Sequence, residues 1–436
     1  MEERPRQPNP PREPDDTDAL FAIDALRLGP LAEETGEFHP PLDVLTITDC
    51  YARGIECIRR REWDSAIGYI RQGLDLDPIR RHSQTVIALA NMGFCHDKLE
   101  EYDESVAAYT QAIELDPQSE QAFAGLACVY MDLDRPAEAL EAGERAAVLR
   151  PDNPLTHYNI GNARMALDDF IGAIESYRQA ITCQANLFHA WLNMGIACEA
   201  IGDLEGAVSS FEGAIRARPD YAKAYMNLGL LYSRQGRHED AVLAFERTLE
   251  RDPDLKKAWI LLGLAWRCRQ NDLKAMEAFK AAVAADFYPE KAWHNIGLIH
   301  ADARRHEDAM QSFRTALQCN PEYAKVHVSI GLEYERVGRD SEAVEAIRNG
   351  LRLRPALPKA LIALGSIHAR HHRFDEAVEC FDTASGYAPD DDGIHVRLLR
   401  THLAAGRRDA ALAEFKYLED RKSPLAEQVI GEIYPS

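Results

Sequence analysis

The sequence predicts an all-α protein built as a solenoid of stacked helical hairpins. The first observation is a helical face within residues 222–253, formed by the i, i+3, i+4 and i+7 places: Tyr225, Leu228, Gly229 and Tyr232. A turn at Gly236 separates this face from a second apolar stripe, and Pro253 ends the second helix. A helix pair this short cannot bury both of its faces, so it needs neighbours of the same kind.

The second observation is a fixed period. Steps of 34 residues from Gly229 give a small residue each time: Gly93, Ala127, Gly161, Gly195, Gly263, Gly297, Gly331 and Gly365. The pattern resembles the tetratricopeptide repeat family, and its fullest copy here is Trp191, Met194-Gly195, Ala207, Phe211, Ala214 and Pro219. The resemblance implies a right-handed superhelix of about eleven hairpins whose first helices line a concave groove, the usual ligand site of the family.

Three regions follow along the chain. Residues 1–46 form an acidic leader that holds eight of the 22 prolines and four basic against eleven acidic residues. We expect it to be largely disordered, with a short amphipathic helix at 18–28. Residues 47–425 form the repeat array, and residues 426–436 form a capping helix and tail.

The repeats keep their register over most of the array. The first spans about 47–80 and is followed by five extra residues, 81–85, which predict a surface loop or a lengthened helix. The next ten begin at about residues 86, 120, 154, 188, 222, 256, 290, 324, 358 and 392. The first and last copies depart most from the pattern, as terminal units of a solenoid do.

Composition limits the class of protein. The hydrophobic share of 46% supplies a continuous core, and no apolar run reaches the ~18 residues of a membrane span. The nine cysteines include no CxxC pair, which favours reduced thiols in the cytoplasm. A net charge of −21 argues against nucleic-acid binding. We expect a cytoplasmic protein that binds no nucleic acid and does not insert into membranes.

Three sets of residues recur at the period of 34 outside the core markers, and we name them as ladders. The lysine ladder occupies the second place of five consecutive repeats: Lys223, Lys257, Lys291, Lys325 and Lys359. It predicts a cationic line in the groove. The alternative is that lysine is simply a soluble residue on an exposed turn, because charges a Debye length apart repel weakly (~8 Å at physiological salt).

The asparagine ladder occupies the sixth place: Asn91, Asn159, Asn193, Asn227 and Asn295. An amide both donates and accepts hydrogen bonds, so it suits a peptide backbone. The ladder is similar to that of the repeat domain of the O-linked N-acetylglucosamine transferase, which implies peptide binding. The alternative is that each amide bonds within its own helix pair.

The aliphatic ladder occupies the ninth place: Ile196, Leu230, Leu264, Leu298 and Leu332. If it faces the groove, it forms an exposed apolar patch of the kind that marks a partner site. The alternative is core packing between adjacent first helices. In the groove, leucines would supply affinity and lysines orientation, since exposed ion pairs are worth only ~0–1 kcal/mol.

A narrower resemblance, to repeat domains that clamp a partner's terminal carboxylate, is incomplete. Asn162, Asn193 and Lys223 match three places of that clamp, whereas Tyr158 and Asn227 replace a lysine and an arginine. Without two of the cations, capture of a terminal carboxylate is not expected.

Catalytic and metal-binding patterns are sparse. His368, His371, His372 and Asp375 form the densest cluster, but His368 takes a core aromatic slot and the other histidines fall in a turn. No HExxH pair, phosphate loop or nucleophile elbow is present. We expect no catalytic residue, no metal and no cofactor.

The predicted function is a non-catalytic adaptor or scaffold. A partner segment with acidic and apolar residues would lie along the central repeats, about 188–357. The alternatives are a recruiting or regulatory subunit of a multiprotein enzyme complex, a scaffold that self-associates end to end, and a leader that occupies the groove in cis.

Overall fold

The computed structural model describes residues 45–433, and every regular element in that range is an α-helix. The helix expected at 18–28 lies outside the described residues. The first helices of the eleven hairpins are α1 (Ile47–Arg59), α3 (Thr85–Lys98), α5 (Glu120–Asp132), α7 (Pro154–Ala166), α9 (Phe188–Ala200), α11 (Ala222–Arg234), α13 (Lys257–Cys268), α15 (Pro289–Asp302), α17 (Ala324–Arg336), α19 (Pro358–Arg370) and α21 (Asp392–Ala404).

Each first helix is followed by a second helix of similar length. These second helices are α2 (Trp63–Leu76), α4 (Tyr102–Leu115), α6 (Pro136–Leu149), α8 (Phe170–Cys183), α10 (Leu204–Ala217), α12 (His238–Arg251), α14 (Asp272–Ala284), α16 (His306–Cys319), α18 (Asp340–Leu353), α20 (Phe374–Tyr387) and α22 (Arg408–Asp420). A last helix, α23 (Pro424–Ile433), follows the eleventh hairpin. The predicted fold class, an all-α array of helical hairpins with a C-terminal helix, is confirmed.

Hairpins close through a contact between a glycine and a ring. A Cβ atom on Gly297 of α15 would lie 2.4 Å from a ring carbon of Phe313 on α16. Phe313 is fully buried, as are the rings in the same place of other hairpins: Tyr177, Phe211, Phe245, Phe279 and Phe381. The glycine therefore sets how closely the two helices approach, and the ring fills the space that it leaves.

The turn inside each hairpin needs one left-handed residue, at the fifteenth place of the repeat. Gly236 takes a φ of +73° there, and Gly338 a φ of +76°. Other hairpins put a residue with a side chain in the same conformation, such as Arg304 at φ +57°. Glycine adopts this region freely, whereas other residues are strained in it.

The chain divides into two compact units, Met1–Ala224 and Tyr225–Ser436. In each unit the first helices of neighbouring hairpins contact one another. These contacts join α1, α3, α5, α7 and α9 in the first unit, and α15, α17, α19 and α21 in the second. Each unit therefore presents one surface built from first helices, which we call its first-helix face.

Of the five extra residues after the first repeat, residues 81–84 form a loop and Thr85 begins α3. The buried carboxylate of Asp77 accepts hydrogen bonds from the backbone N–H groups of Arg81 (3.0 Å) and His82 (2.9 Å) and from the Thr85 hydroxyl (2.8 Å). These bonds, the one from the His82 N–H above all, lower the pKa of Asp77. An ionised Asp77 thus fixes the start of α3.

The array ends in a helix that covers the last hairpin. α23 contacts α21 and α22, and it buries Val429 and Ile433 against Leu399, Phe415 and Leu418. Its opposite side leaves Ile430 half exposed. The side of α23 that carries Val429 and Ile433 removes the core of the eleventh hairpin from water, as a capping element of a repeat array must.

Candidate functional site

The lysine ladder lies at the start of the first helices. Lys257, Lys325 and Lys359 are exposed, and within the described residues they have neither an ion-pair nor a hydrogen-bond partner. Lys291 is half-buried, with its Nζ atom 3.5 Å from the centroid of the Tyr288 ring. Lys223 is half-buried on α11. Three lysines of the second unit therefore present unpaired positive charge to solvent.

The aliphatic ladder is neither fully buried nor fully exposed. Leu264 is the most accessible, at 39% of its surface, and Ile196, Leu230, Leu298 and Leu332 are half-buried. Leu298 and Leu332 also pack against buried clusters that each include residues of their own hairpin and of the next one. Each of these side chains thus has one side on the core and one side open to solvent.

The asparagine ladder bonds chiefly across the seam between repeats. Asn193 donates to the Asn162 Oδ1 atom at 3.0 Å and to the Tyr158 hydroxyl at 3.3 Å, and Asn159 donates to the Cys128 Sγ atom at 3.1 Å. Asn91 is buried and accepts from Gln121 of the next repeat. The first unit therefore uses amides to hold its own first helices together.

In the second unit, the side-chain amide of Asn295 uses both its oxygen and its NH2 group in hydrogen bonds. Asn295 accepts from Arg267 at 3.3 Å and donates to the Lys291 carbonyl at 2.8 Å. Asn227 is half-buried on α11. These bonds orient the Asn295 amide beside a lysine and an aliphatic residue of the same face.

The carboxyl-clamp positions in the first unit are tied to one another. The Tyr177 hydroxyl donates to the Asn162 Oδ1 atom at 2.8 Å, and the same oxygen accepts from Asn193. Tyr177 is fully buried, so this oxygen is committed to the core. Asn162 and Asn193 are therefore bonded within the first unit, and the absence of a terminal-carboxylate site stays a prediction.

Ion pairs join successive first helices of the second unit. Arg267 of α13 lies 3.2 Å from the Asp302 carboxylate of α15, and Arg370 of α19 lies 3.0 Å from Glu335 of α17. Arg336 donates to the Ala301 carbonyl at 3.3 Å. Asp302 and Glu335 of the second unit are therefore already paired with arginine, whereas Lys257, Lys325 and Lys359 are not paired within the described residues.

The balance of charge differs between the two units. In the second unit, the first helices α13, α15, α17 and α19 together carry seven Lys or Arg residues and four Asp or Glu residues. In the first unit, α3, α5, α7 and α9 together carry two Lys or Arg residues and four Asp or Glu residues. We call the surface formed by α13, α15, α17 and α19 the cationic face. It stands out in a chain whose net charge is −21.

A buried histidine lies within the cationic face. The Nε2 atom of His294 is 2.9 Å from the Ser329 hydroxyl of the next repeat, and its ring meets Tyr323 edge-on at 5.4 Å. Burial lowers the pKa of His294 to about 4, and the charges of Lys325 and Arg267 act in the same direction. At neutral pH His294 is therefore uncharged and leaves the positive charge of the face to the lysines.

The histidines of α19 and of the turn after it lie in different environments. His368 is buried in the hairpin core, and that burial lowers its pKa, while His371 pairs with Asp340 at 2.7 Å. Among residues 45–433 no three His, Cys, Asp or Glu side chains are grouped to hold a metal ion.

The pairs that join repeats were not identified from the sequence. Five of them share one signal, a spacing of 35 residues instead of 34. This spacing links Arg267 to Asp302, Glu335 to Arg370, His294 to Ser329, Ala301 to Arg336, and Tyr158 to Asn193. A search for complementary residues 35 apart, in addition to identical residues 34 apart, would find them.

No helix in the described part of the chain is both long and apolar enough to span a lipid bilayer.

Family models match most of the array piece by piece. Tetratricopeptide repeat models match residues 86–119, 156–186 and 186–254. A further model, described as the cilia and flagella-associated protein 70 C-terminal domain, matches residues 222–399. A comparison with curated proteins found no match.

Solved structures with similar folds include three helical-repeat chains. The crystal structure of MamA is 25% identical, covering 38% of this chain and 97% of its own, with a TM-score of 0.36. Yeast Tom70 is 15% identical, and the match covers 88% of this chain and 93% of the Tom70 chain, with a TM-score of 0.47. A chain from the APC/C hetero-tetramer Cut9-Hcn1 is 11% identical, and the match covers 90% of this chain and 97% of that chain, with a TM-score of 0.44.

Proposed function

This chain is a tetratricopeptide repeat protein, and from that premise we propose that it is a non-catalytic adaptor whose cationic face binds a segment of a partner protein. The observation that carries the proposal is the reversal of charge between the units. First helices of the second unit carry an excess of basic residues, and those of the first unit an excess of acidic ones. An acidic protein keeps this cationic surface on one set of helices.

Lysine supplies the orientation of the partner. Lys257, Lys325 and Lys359 are exposed and unpaired within the described residues, while Asp302 and Glu335 of the same set of helices are paired with arginine. An approaching carboxylate therefore meets positive charge that is not already neutralised. Complementary charge of this kind fixes register and raises the association rate more than it raises affinity.

The aliphatic ladder supplies affinity beside the lysines. Leu264 exposes 39% of its surface, and Leu298 and Leu332 each keep part of theirs open. Covering one large aliphatic side chain fully stabilises a complex by ~1.5–3 kcal/mol, and covering half of one stabilises it by correspondingly less. A partner segment needs apolar residues between its acidic ones to use both ladders.

The partner is therefore a protein segment that is both acidic and apolar, and we place the complex in the cytoplasm. Asn295 lies beside Lys291 on the cationic face, where its amide can meet a partner's backbone. A nucleic acid carries phosphates but no aliphatic side chains, so it does not fit both ladders.

Affinity purification with mass spectrometry tests the proposal on the full chain. We expect the Leu264→Ser, Leu298→Ser, Leu332→Ser variant to lose the partners of the wild type, because the apolar contact is gone. Leu273→Ser is the matched control, since Leu273 is 78% exposed on the second helix α14. Circular dichroism melts separate loss of binding from loss of folding.

A second set of variants avoids the packing that Leu298 and Leu332 also provide. The Lys257→Glu, Lys325→Glu, Lys359→Glu variant reverses charge at exposed positions, and Lys280→Glu does the same on α14. The ladder variant should lose the same partners and Lys280→Glu should keep them. Equal capture by the wild type and both ladder variants would refute the proposal.

A second candidate role is that of a recruiting subunit in a larger assembly. It is favoured by the match of residues 222–399 to the C-terminal domain of a protein described as associated with cilia and flagella. Sedimentation of the full chain with intact assemblies, compared with the lysine-ladder variant, tests this role. A chain that sediments alone in cell extract would contradict it.

A further inference from the structure

We infer that the turns of the fourth and fifth hairpins bind a basic amphipathic helix of a partner protein. The two turns are residues 166–172, where α7 meets α8, and residues 200–206, where α9 meets α10. We call their joint surface the acidic edge. It lies within the first unit, and the inference does not depend on what the cationic face binds.

Four large aliphatic side chains are exposed on the acidic edge. Leu167 and Ile171 expose 42% and 74% of their surface in the first turn, and Ile201 and Leu204 expose 46% and 42% in the second. Together they leave open about as much surface as two fully exposed aliphatic residues. Apolar residues grouped in this way on the surface are typical of a partner site.

This exposure is not a general property of the turns. In the second and third hairpins, Leu99 and Leu133 take the place of Leu167, and both pack against a buried cluster. In the described turns of the second unit, Leu273 and Val337 are each exposed alone. The fourth and fifth hairpins are thus the two described ones that expose a pair of aliphatic residues at the turn, and they are consecutive.

The acidic edge is negatively charged. Its two turns contain four acidic residues and no basic one. Asp168 and Glu205 are exposed and have neither an ion-pair nor a hydrogen-bond partner within the described residues. Asp169 accepts a hydrogen bond from the Gly172 N–H at 3.0 Å, and Asp203 accepts one from the Gly206 N–H at 2.9 Å. Two carboxylates therefore fix the shape of the turns, and two remain for a partner.

The two turns lie side by side. α7 contacts α9, and the Asn193 amide of α9 donates to Asn162 of α7 at 3.0 Å. Because each hairpin repeats the one before it, both helices run in the same direction and end at the same edge. Helices in contact lie ~8–10 Å apart, a distance that about six residues of α-helix span. A partner helix of about three turns can therefore contact both aliphatic pairs.

Charge determines which occupant fits the acidic edge. A helix with an apolar stripe flanked by lysine or arginine covers the aliphatic residues and brings its cations to Asp168 and Glu205. A second copy of this chain would bring an identical acidic edge, and the like charges would repel each other. The occupant is therefore a basic segment, opposite in charge to the segment proposed for the cationic face.

Fluorescence anisotropy of the full chain with two labelled model peptides tests the inference. The first probe is a helical peptide of about 16 residues made of leucine and lysine, with the leucines alternately three and four residues apart. The second probe has glutamate in place of every lysine. We expect the leucine–lysine peptide to bind the wild type and to lose affinity when either contact of the acidic edge is removed.

Two variants remove these contacts separately. The aliphatic-edge variant is Leu167→Ser, Ile171→Ser, Ile201→Ser, Leu204→Ser, and the charge-edge variant is Asp168→Asn, Glu205→Gln. The aliphatic-edge variant should bind the leucine–lysine peptide roughly tenfold more weakly than the wild type, because the apolar contact is gone. The charge-edge variant should bind it about fivefold more weakly, since exposed ion pairs contribute less. All six positions are exposed, and circular dichroism melts confirm that both variants fold.

Matched controls separate the acidic edge from the general attraction between a cationic peptide and a chain of net charge −21. Val148→Ser changes an exposed aliphatic residue of α6, and Asp75→Asn, Glu114→Gln neutralises two exposed carboxylates on α2 and α4. Both controls should bind the leucine–lysine peptide as the wild type does. Equal losses in edge and control variants, or no binding to the wild type, would overturn the inference. So would a wild-type dimer in sedimentation equilibrium that the aliphatic-edge variant does not form, because the occupant would then be a second copy.

The leucine–glutamate peptide distinguishes the inference from the proposed function. The proposed function predicts that this peptide binds the wild type and both edge variants alike, and that the Lys257→Glu, Lys325→Glu, Lys359→Glu variant does not bind it. Loss of the leucine–lysine peptide in the edge variants alone supports the inference whatever the leucine–glutamate peptide does. Each proposal can therefore fail while the other stands.

Discussion

At the scale of single residues, the hairpins depend on a few close approaches that tolerate no added atom. Gly365 of α19 faces Phe381 of α20, and a Cβ atom there would lie 2.7 Å from a ring carbon. Phe381 is 1% exposed, so its ring cannot move out into solvent. Steric conflict at such a position is transmitted to both helices, because protein interiors are close-packed.

Gly365→Ala is expected to destabilise the protein by about 1–3 kcal/mol, the usual cost of overpacking a core. Its matched control is Gly386→Ala in the same hairpin, where a Cβ atom would meet nothing within 4 Å. Because alanine favours a helix over glycine, the control should gain about 0.5–1 kcal/mol. Urea unfolding followed by circular dichroism measures both, and an equal effect of the two changes would contradict the steric explanation.

His294 makes the protein sensitive to acid. Its pKa is about 4 in the folded chain against 6.5 for an ordinary histidine, so between these pH values the unfolded chain binds the proton first. Stability should therefore fall as the pH drops through this window, by about 2 kcal/mol from pH 7 to pH 5. His294→Gln should remove this part of the pH dependence.

The measurement is the urea midpoint at pH 7 and at pH 5 for the wild type and the variant. His372→Gln, at an exposed turn, is the control and should leave the pH dependence as it is in the wild type. A His294→Gln variant that loses as much stability on acidification as the wild type would show that other groups cause the effect.

At the scale of helices and turns, the period of the sequence predicts where each element lies. Observed first helices begin within one residue of the predicted starts: α3 at Thr85 instead of 86, α13 at Lys257 instead of 256, and α15 at Pro289 instead of 290. The early start of α15 has a local cause. Tyr288 takes a left-handed φ of +44°, and Pro289 then fits the first turn of a helix.

The contacts between repeats were harder to predict, for a physical reason. A repeat is recognised from identical residues at the same position of each copy. A contact between consecutive repeats instead joins different, complementary residues at neighbouring positions. Arg267 with Asp302 and His294 with Ser329 are of this second kind. The ladders could be placed on the first helices from the sequence, but the half-buried state of Leu298 and Leu332 depends on side-chain packing that spacing does not determine.

The left-handed turn gives a test at this scale. Gly338 lies at φ +76° between α17 and α18, so Gly338→Ala should cost about 1 kcal/mol. Arg304→Gly changes the same turn position of the preceding hairpin in the opposite sense. It should gain a similar amount of stability, because in both changes the strain of the left-handed position is partly offset by the greater flexibility of glycine in the unfolded chain. Thermal melts compare the two, and a gain for Gly338→Ala would exclude the strain argument.

At the scale of the whole molecule, stability is a sum of hairpins and of contacts between neighbours. Energetic coupling in such arrays decays along the chain, because each repeat touches only the next. The division into Met1–Ala224 and Tyr225–Ser436 was not predicted, since the 34-residue period runs through residue 224 unchanged. The difference in charge between the two sets of first helices coincides with that division.

Hydrogen exchange tests this locality. Gly365→Ala should speed the exchange of backbone amides in α19, α20 and the hairpins beside them, while α3 to α8 keep the rates of the wild type. Gly161→Ala, at the corresponding place of α7, should produce the reverse pattern, because a Cβ atom there would lie 2.4 Å from the Tyr177 ring. Uniform acceleration over both units by either change would show global cooperativity instead.

The pairs spaced 35 residues apart also limit how the array can be shortened or shuffled. Deleting residues 290–323 removes one period and leaves the helical frame intact. Arg267 would then face Arg336, which occupies the place of Asp302 one repeat later, and two guanidinium groups would meet where an ion pair had been. Hairpins of the same shape are thus not interchangeable, because the charged residues at the edge of each hairpin complement those of its own neighbours.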